Sequence, residues 1–388
     1  MRISAQLIAV AAAGVTAALW SPPASALEDA AGYVFVPNRG SADVAVIDTR
    51  SDRVVARIEV GNVPHQVVVS DTLGKLIASN TADNTISIID LETMKTEATI
   101  TLGIEPEHMA LGPNGRLLAV GNIGAGSVSL VALGENRETA RIDGLFEPHN
   151  LTFSPDGALL YVANLGANHV SVIDVAAGKV INEIPVAGPT ALAARGADDT
   201  GEFQGVINVT KTPDGRLGFA AHGESDALSV IDLRTQETLK RLTLGDRPWR
   251  AYTTADGRYM LVPNNGDRTV SVISTASLEV VATLPGAEDM TGINTGWFET
   301  TAFVISRGES KVLVYDLIDM AKVGEIALPS SPETGVVTPD GKKLYIALSG
   351  SDRVAVIDTR SRKLVTLIDD VGKEPWGATM VGALNYCH

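Results

Sequence analysis

Pro148-His149-Asn150-Leu151-Thr152-Phe153, the turn Ser154-Pro155-Asp156-Gly157, then Leu160-Tyr161-Val162-Ala163-Asn164 and Val170-Ser171-Val172-Ile173-Asp174 form one unit whose reading decides the fold. Each run is short, rich in β-branched or aromatic residues and bounded by turn formers, which is the pattern of strands. Proline presets φ for a tight turn and Asp-Gly completes it, because glycine accepts positive φ. The aspartate closing Val170–Asp174 is expected to turn the chain by capping backbone N–H groups with its carboxylate. No window sustains the 3.6-residue period of an amphipathic helix.

The unit recurs along the chain. Leu76-Ile77-Ala78-Ser79-Asn80 leads to Ile86-Ser87-Ile88-Ile89-Asp90, and Leu117-Leu118-Ala119-Val120-Gly121-Asn122 leads to Val128-Ser129-Leu130-Val131. Later copies end in Leu228-Ser229-Val230-Ile231-Asp232, Val270-Ser271-Val272-Ile273 and Val354-Ala355-Val356-Ile357-Asp358. A repeat of about 42 residues holding four short strands is the signature of a β-propeller. The first copy begins at a second strand, Tyr33-Val34-Phe35-Val36, while Pro375-Trp376-Gly377-Ala378-Thr379-Met380 reads as an inner strand without a blade. Joining the two ends completes one blade and removes the exposed edges of an open ring. The expected fold is all-β: a single propeller of four-stranded blades, eight favoured and seven the alternative, with N- and C-terminal strands sharing one blade. An insertion near 191–204 interrupts the spacing.

The chain has 388 residues, a formal net charge of −15 and one cysteine. Gripping nucleic-acid phosphates needs a basic surface, so the acidic balance disfavours nucleic-acid binding, and an anionic membrane surface for the same reason. Arg2, the apolar run from Leu7 to Leu19 and Ala24-Ser25-Ala26 read as a secretory signal peptide over residues 1–26, with the propeller filling 27–388. No later stretch has the length of a membrane span. The expectation is a monomer in the periplasm or secreted. Its lone Cys387 beside His388 cannot form an internal disulfide and reads as a tail.

The units quoted resemble the YVTN-type β-propeller repeat, most closely along residues 148–174 and over nearly the whole chain after residue 26. That resemblance implies a propeller. It also implies a range of roles: exported binding or scaffold proteins, lactone hydrolases, large subunits of quinone-cofactor amine dehydrogenases and, more distantly, propellers with copper or haem in the channel. Fold by itself does not choose among them. There is no Cys-x-x-Cys-His for covalent haem, and no G-x-S-x-G, Walker loop or H-E-x-x-H.

Function must therefore come from a site. In this repeat the loops entering the inner strands share one face with the turns between second and third strands. His65 and His149 follow the proline that opens an inner strand; Glu107 holds that position in the unit between them, with His108 next. Trp249, Glu333 and Trp376 stand there in other units, with Arg250 after Trp249. His222 replaces the asparagine that ends other second strands, and His169 lies in the same class of loop with an expected turn or solvated role. Imidazole with carboxylate suits a transition metal, copper above all, so His65, His108, His149 and His222 are the candidate ligands. Glu107, Trp249, Arg250, Glu333 and Trp376 suit an aromatic or anionic small molecule. The leading expectation is an exported binding or accessory protein with a His-rich ligand or metal site at the channel mouth. The alternatives are a copper-type periplasmic oxidoreductase and a scaffold for a redox protein partner, whose approach the acidic surface would steer.

Overall fold

The alternating runs pair as antiparallel strands in eight sheets, seen in a computed structural model that describes residues 30–186 and 205–384. Residues 1–26, the insertion near 191–204 and Cys387-His388 lie outside the described residues. Seven sheets have four strands and one has three. The fourth blade shows the plan: inner strand Pro148–Phe153, second strand Leu159–Asn164, third strand His169–Asp174 and outer strand Lys179–Pro185, hydrogen-bonded in chain order. The blades span residues 33–59, 64–101, 106–143, 148–185, 206–243, 252–285, 290–327 and 332–368. The ring is eight-bladed, not seven-bladed.

The first blade has only Tyr33–Asn38, Asp43–Asp48 and Arg53–Glu59 of its own. Residues 375–379 complete it, with bridges Asn38↔Pro375 and Phe35↔Thr379. The Phe35 N–H donates to the Thr379 carbonyl at 2.9 Å, and Thr379 N–H returns the bond at 3.0 Å. Both ends of the chain thus close the ring, as the sequence led us to expect.

Apolar burial between blades drives the closure. Side chains alternate between faces along a strand, and the middle strands are buried on both. Leu76, Ala78 and Ile89 pack against Phe35, Val44 and Val46 of the first blade, while their neighbours Ile77 and Ile88 pack against Leu118 and Val120 of the third. Eight such clusters occupy the eight gaps between blades. This explains why the V-x-V-I runs are nearly continuous in apolar residues. Outer strands such as Arg53–Glu59 alternate between exposed and half-buried residues instead.

The aspartates that end third strands cap the next turn as expected. Asp90 Oδ1 accepts from the Thr93 N–H at 2.6 Å, and Asp232 Oδ1 from Arg234 and Thr235 N–H at 2.9 Å each. On the other face, the asparagine ending the second strand holds the third strand. The Asn122 amide donates to the Ser127 and Ser129 hydroxyls at 3.1 and 2.9 Å, and Asn80, Asn164 and Asn264 each reach the equivalent Ser87, Ser171 and Ser271 at 3.0 Å. These groups are buried, so losing one partner strands the other away from water. Asn122→Ala is expected to cost about 1–3 kcal/mol in urea unfolding. In a double-mutant cycle, Asn122→Ala with Ser129→Ala should cost less than the sum of the single changes.

Candidate functional site

The inner strands carry one extra residue each where they enter the sheet. In the fourth blade Pro148 pairs with Asn164, yet Asn150 pairs with Ala163. The same offset occurs between Pro64 and Val67, Pro106 and Met109, Val206 and Asn208, Met290 and Gly292, and Pro332 and Gly335. The pairs Pro248↔Asn264 with Tyr252↔Leu261, and Asn38↔Pro375 with Phe35↔Thr379, repeat it in the sixth and first blades. A bulge of this kind frees a side chain from the ladder and re-aims it. The residue after the pairing proline, or its substitute, is therefore presented at the same level around the ring: Trp376, His65, Glu107, His149, Ile207, Trp249, Thr291 and Glu333.

The loop before each bulge is anchored from the neighbouring turn. The N–H of Arg39, Thr81, Ile123, Leu165, Asn265, Arg307 and Ser349 donates to the carbonyl of Glu374, Val63, Glu105, Glu147, Arg247, Asp289 and Ser331, at 2.9–3.2 Å. Each acceptor residue has φ between 48° and 54°, a left-handed conformation that costs a side-chain-bearing residue about 1–2 kcal/mol. The hydrogen bond from the adjoining turn of the same blade holds it there.

Three imidazoles come together on this level. His65, His108 and His149 are 5, 2 and 7% exposed. The His65 and His108 ring centres are 5.2 Å apart and those of His108 and His149 4.1 Å. His149 Nδ1–H donates to the Ile207 carbonyl at 2.9 Å, which leaves its Nε2 lone pair facing His108 Nε2 at 3.1 Å. A carbonyl fixing the outer nitrogen is how proteins orient a metal-ligating histidine. Two imidazole nitrogens bound to one tetrahedral ion would stand about 3.3 Å apart, given metal–nitrogen bonds of about 2.0–2.1 Å. Glu107 completes the group, with Oε1 3.3 Å from His65 Nδ1 and Oε2 3.8 Å from His108 Nε2. One ligand atom from each of His65, Glu107 and His108 lies within 4.8 Å of the others, while His149 stands outside that trio and meets it through His108 Nε2.

Burial pushes the Glu107 carboxyl up to about 7; the charge of Arg39 pulls it down and that of Glu105 pushes it further up. Arg39 holds its guanidinium 4.1 Å from the Trp376 ring centre, and Trp376 lies 6.0 Å from the His65 ring. Trp249 meets His149 edge-on at 6.4 Å. Arg39 escaped the sequence reading, although Arg39-Gly40 and Arg307-Gly308 mark the same turn in two blades and were a legible signal.

The other candidates are placed elsewhere. His222 is fully buried, its Nε2–H donating to Asn168 Oδ1 at 2.6 Å and its Nδ1 accepting from the Ser225 hydroxyl at 2.9 Å. One nitrogen thus bonds to the fourth blade and the other within its own blade, so His222 does not join the other three. Glu333 accepts from Arg307 Nη1 at 3.1 Å and from the Ser349 hydroxyl, beside the Arg307–Asp289 pair. Arg250 is buried and lines a central cavity of about 520 Å³; Trp249 lines a smaller one of about 310 Å³ with Arg247 and Arg307. The three clustered imidazoles line neither cavity; they sit above the larger one, whose upper wall includes Gln66, Met109 and Asn150 of the strands they begin. His169 lies 3.7 Å from Glu183 and edge-on to Phe146.

Burial holds the His222 imidazole down to about 4, against 6.5 for a free side chain. Between these values the unfolded chain takes up a proton that the folded chain refuses. This contribution to stability is complete above pH 6.5 and is lost as pH falls toward 4. His222→Asn should therefore lose less melting temperature than the wild type between pH 7 and pH 4; equal losses would remove the linkage.

Residues 72–384 match the model of the YNCE-like beta-propeller family. The seven-bladed beta-propeller protein Rv1057 of Mycobacterium tuberculosis is 31% identical over 119 residues, 29% of this chain and 30% of that protein. The match thus spans under a third of the relative's length. Among solved structures, the dihydro-heme d1 dehydrogenase NirN in complex with DHE has a TM-score of 0.73 at 18% identity, over 93% of this chain and 78% of its own. Hydrazine synthase of Kuenenia stuttgartiensis gives 0.58 at 23% identity, over 76% of this chain and 95% of its own. At these identities the likeness is one of fold.

Proposed function

The chain belongs to the YNCE-like beta-propeller family, and from that premise we propose that it is an exported binding or accessory protein whose ligand is a transition-metal ion held by His65, Glu107, His108 and His149. The observation that carries this reading is the 3.1 Å approach of His108 Nε2 and His149 Nε2, with Glu107 bridging toward His65. Three imidazoles and one carboxylate suit copper(II) or zinc, and the affinity order of divalent ions favours copper. Residues 1–26 supply the export signal, and the YVTN-type repeat is the finer family likeness. Among the described residues no helix is long and apolar enough to cross a membrane.

Burial of the imidazoles favours binding over turnover. A catalytic metal keeps a position open for water or substrate, whereas here the three rings are almost closed off and Trp376 and Arg39 cover the His65 side. Copper-dependent oxidation remains the alternative use of the same residues. The remaining rim residues, Trp249, Arg250 and Glu333, are then structural neighbours or contacts for a second ligand.

Copper loading of the purified full chain, followed by dialysis, is expected to leave about one ion per chain, with nitrogen hyperfine splitting in its electron paramagnetic resonance spectrum. His65→Ala/His149→Ala should lose it. A chain that stays metal-free after copper and zinc reconstitution would sink the proposal. A haem-type tetrapyrrole is the competing ligand, since the NirN structure holds DHE; a Soret shift on haem titration without metal retention would select it. Metal uptake should also weaken below about pH 7, because the Glu107 carboxyl must release its proton to act as a ligand. Glu107→Gln should flatten that dependence while lowering affinity.

A further inference from the structure

Below the imidazoles the channel widens into the cavity of about 520 Å³, and its wall is rich in hydrogen-bond donors. The cavity reaches the opposite face, because Pro213, Pro339 and Gly341 of the turns ending the inner strands line it. Its volume is that of a small-molecule site.

Its charges are unlike the protein's. The chain as a whole is strongly acidic, with a formal net charge of −15. Among the described residues, however, the cavity wall carries two cations, Lys211 and Arg250, and one carboxylate, Glu299. Glu299 is already committed to the wall, its Oε2 accepting from the Ala255 N–H at 2.7 Å and from the Thr295 hydroxyl. Lys211 closes the inner strand of the fifth blade and is half-buried. Its Nζ donates one bond, to the Phe153 carbonyl at 2.9 Å, and among the described residues no carboxylate lies within ion-pair distance of it. Burial lowers its pKa from the ordinary lysine value, the sign of an ammonium short of compensating charge.

Two wall amides point the same way in their chemistry. Gln66 Oε1 accepts from the Met109 N–H at 2.5 Å, and Asn150 Oδ1 accepts from the Val209 N–H at 3.2 Å. Each oxygen is thereby fixed on the backbone of the next blade, and each side chain keeps its NH₂ donors for the cavity it lines.

We propose that this cavity is a binding site for a small multi-oxygen anion, a polycarboxylate or a phosphate ester, whose charge meets Lys211 and Arg250 and whose remaining oxygens accept from Gln66 and Asn150. The site stands apart from the metal reading, since the imidazoles do not line it. An uncharged polyol of similar size would gain the hydrogen bonds but not the charge–charge attraction to Lys211 and Arg250.

Calorimetric titration of the metal-free full chain with citrate, inorganic phosphate and myo-inositol tests it. Citrate or phosphate should bind at one site per chain, at least tenfold tighter than myo-inositol, and the preference between them names the source of the oxygens. Lys211→Met keeps the stem without the charge and should weaken the anion at least tenfold, whereas Lys211→Arg should stay within about threefold of wild type. Glu299→Gln removes the carboxylate from the described wall and should tighten binding. The His65→Ala/His149→Ala protein should bind the anion unchanged, so failure of the metal site leaves this result legible. Circular dichroism confirms that each variant is folded. Absence of binding by both anions, equal binding of myo-inositol, or an unchanged affinity in folded Lys211→Met would overturn the proposal.

Discussion

One extra residue at the entry of each inner strand governs the rest of this molecule. The bulge takes the side chain after Pro64, Pro106, Pro148, Pro248, Pro332 and Pro375 out of the pairing pattern, and it does so at one height around the ring. It is sustained from two sides. The preceding residue is forced into a left-handed conformation and tied by its carbonyl to the neighbouring turn. That turn is itself held by a buried asparagine amide on a third-strand serine. Neither device would survive alone, because a strained residue needs surroundings that over-determine it. Interblade burial supplies that rigidity.

On this scaffold, neighbouring blades determine electrostatics. Glu107 has an ordinary carboxyl made hard to ionise by burial, moderated by Arg39 from the blade two positions earlier in the ring. His149 has its tautomer set by a carbonyl from the fifth blade. The same logic makes His222 structural: Asn168 and Ser225 take both of its nitrogens, and burial keeps it neutral. Residue type was equal among these histidines; surroundings separated them.

The channel is consequently chemically divided along its axis. Its upper end is closed by imidazoles, indoles and one reluctant acid. Its lower part is lined, among the described residues, by amides, hydroxyls, two cations and one carboxylate, with apolar residues such as Leu111 and Leu151, within an acidic protein. Inner strands connect the two levels, since His65 and Gln66, or His149 and Asn150, are adjacent residues.

Much of the fold was legible along the chain. The period of about 42 residues, the Pro-Asp-Gly turns, the capping aspartates and the orphan strand at Pro375 together specify an eight-bladed ring closed by its two ends, because turn chemistry and period-two burial are local properties. The repeat also placed His65, Glu107, His108 and His149 on one face. It could not say which side chains touch, since the cluster draws on three blades and its contacts run between residues about 40 positions apart, as with His108 and His149. Arg39 was invisible as a neighbour of Trp376 because ring closure alone brings residues 39 and 376 together. Lys211, at the end of an unremarked strand, gained meaning only when eight inner strands enclosed a common space. Sequence by itself determined the strands, the turns and the ring; tertiary structure decided the partners, because burial and charge at the channel are sums over blades that no single repeat contains.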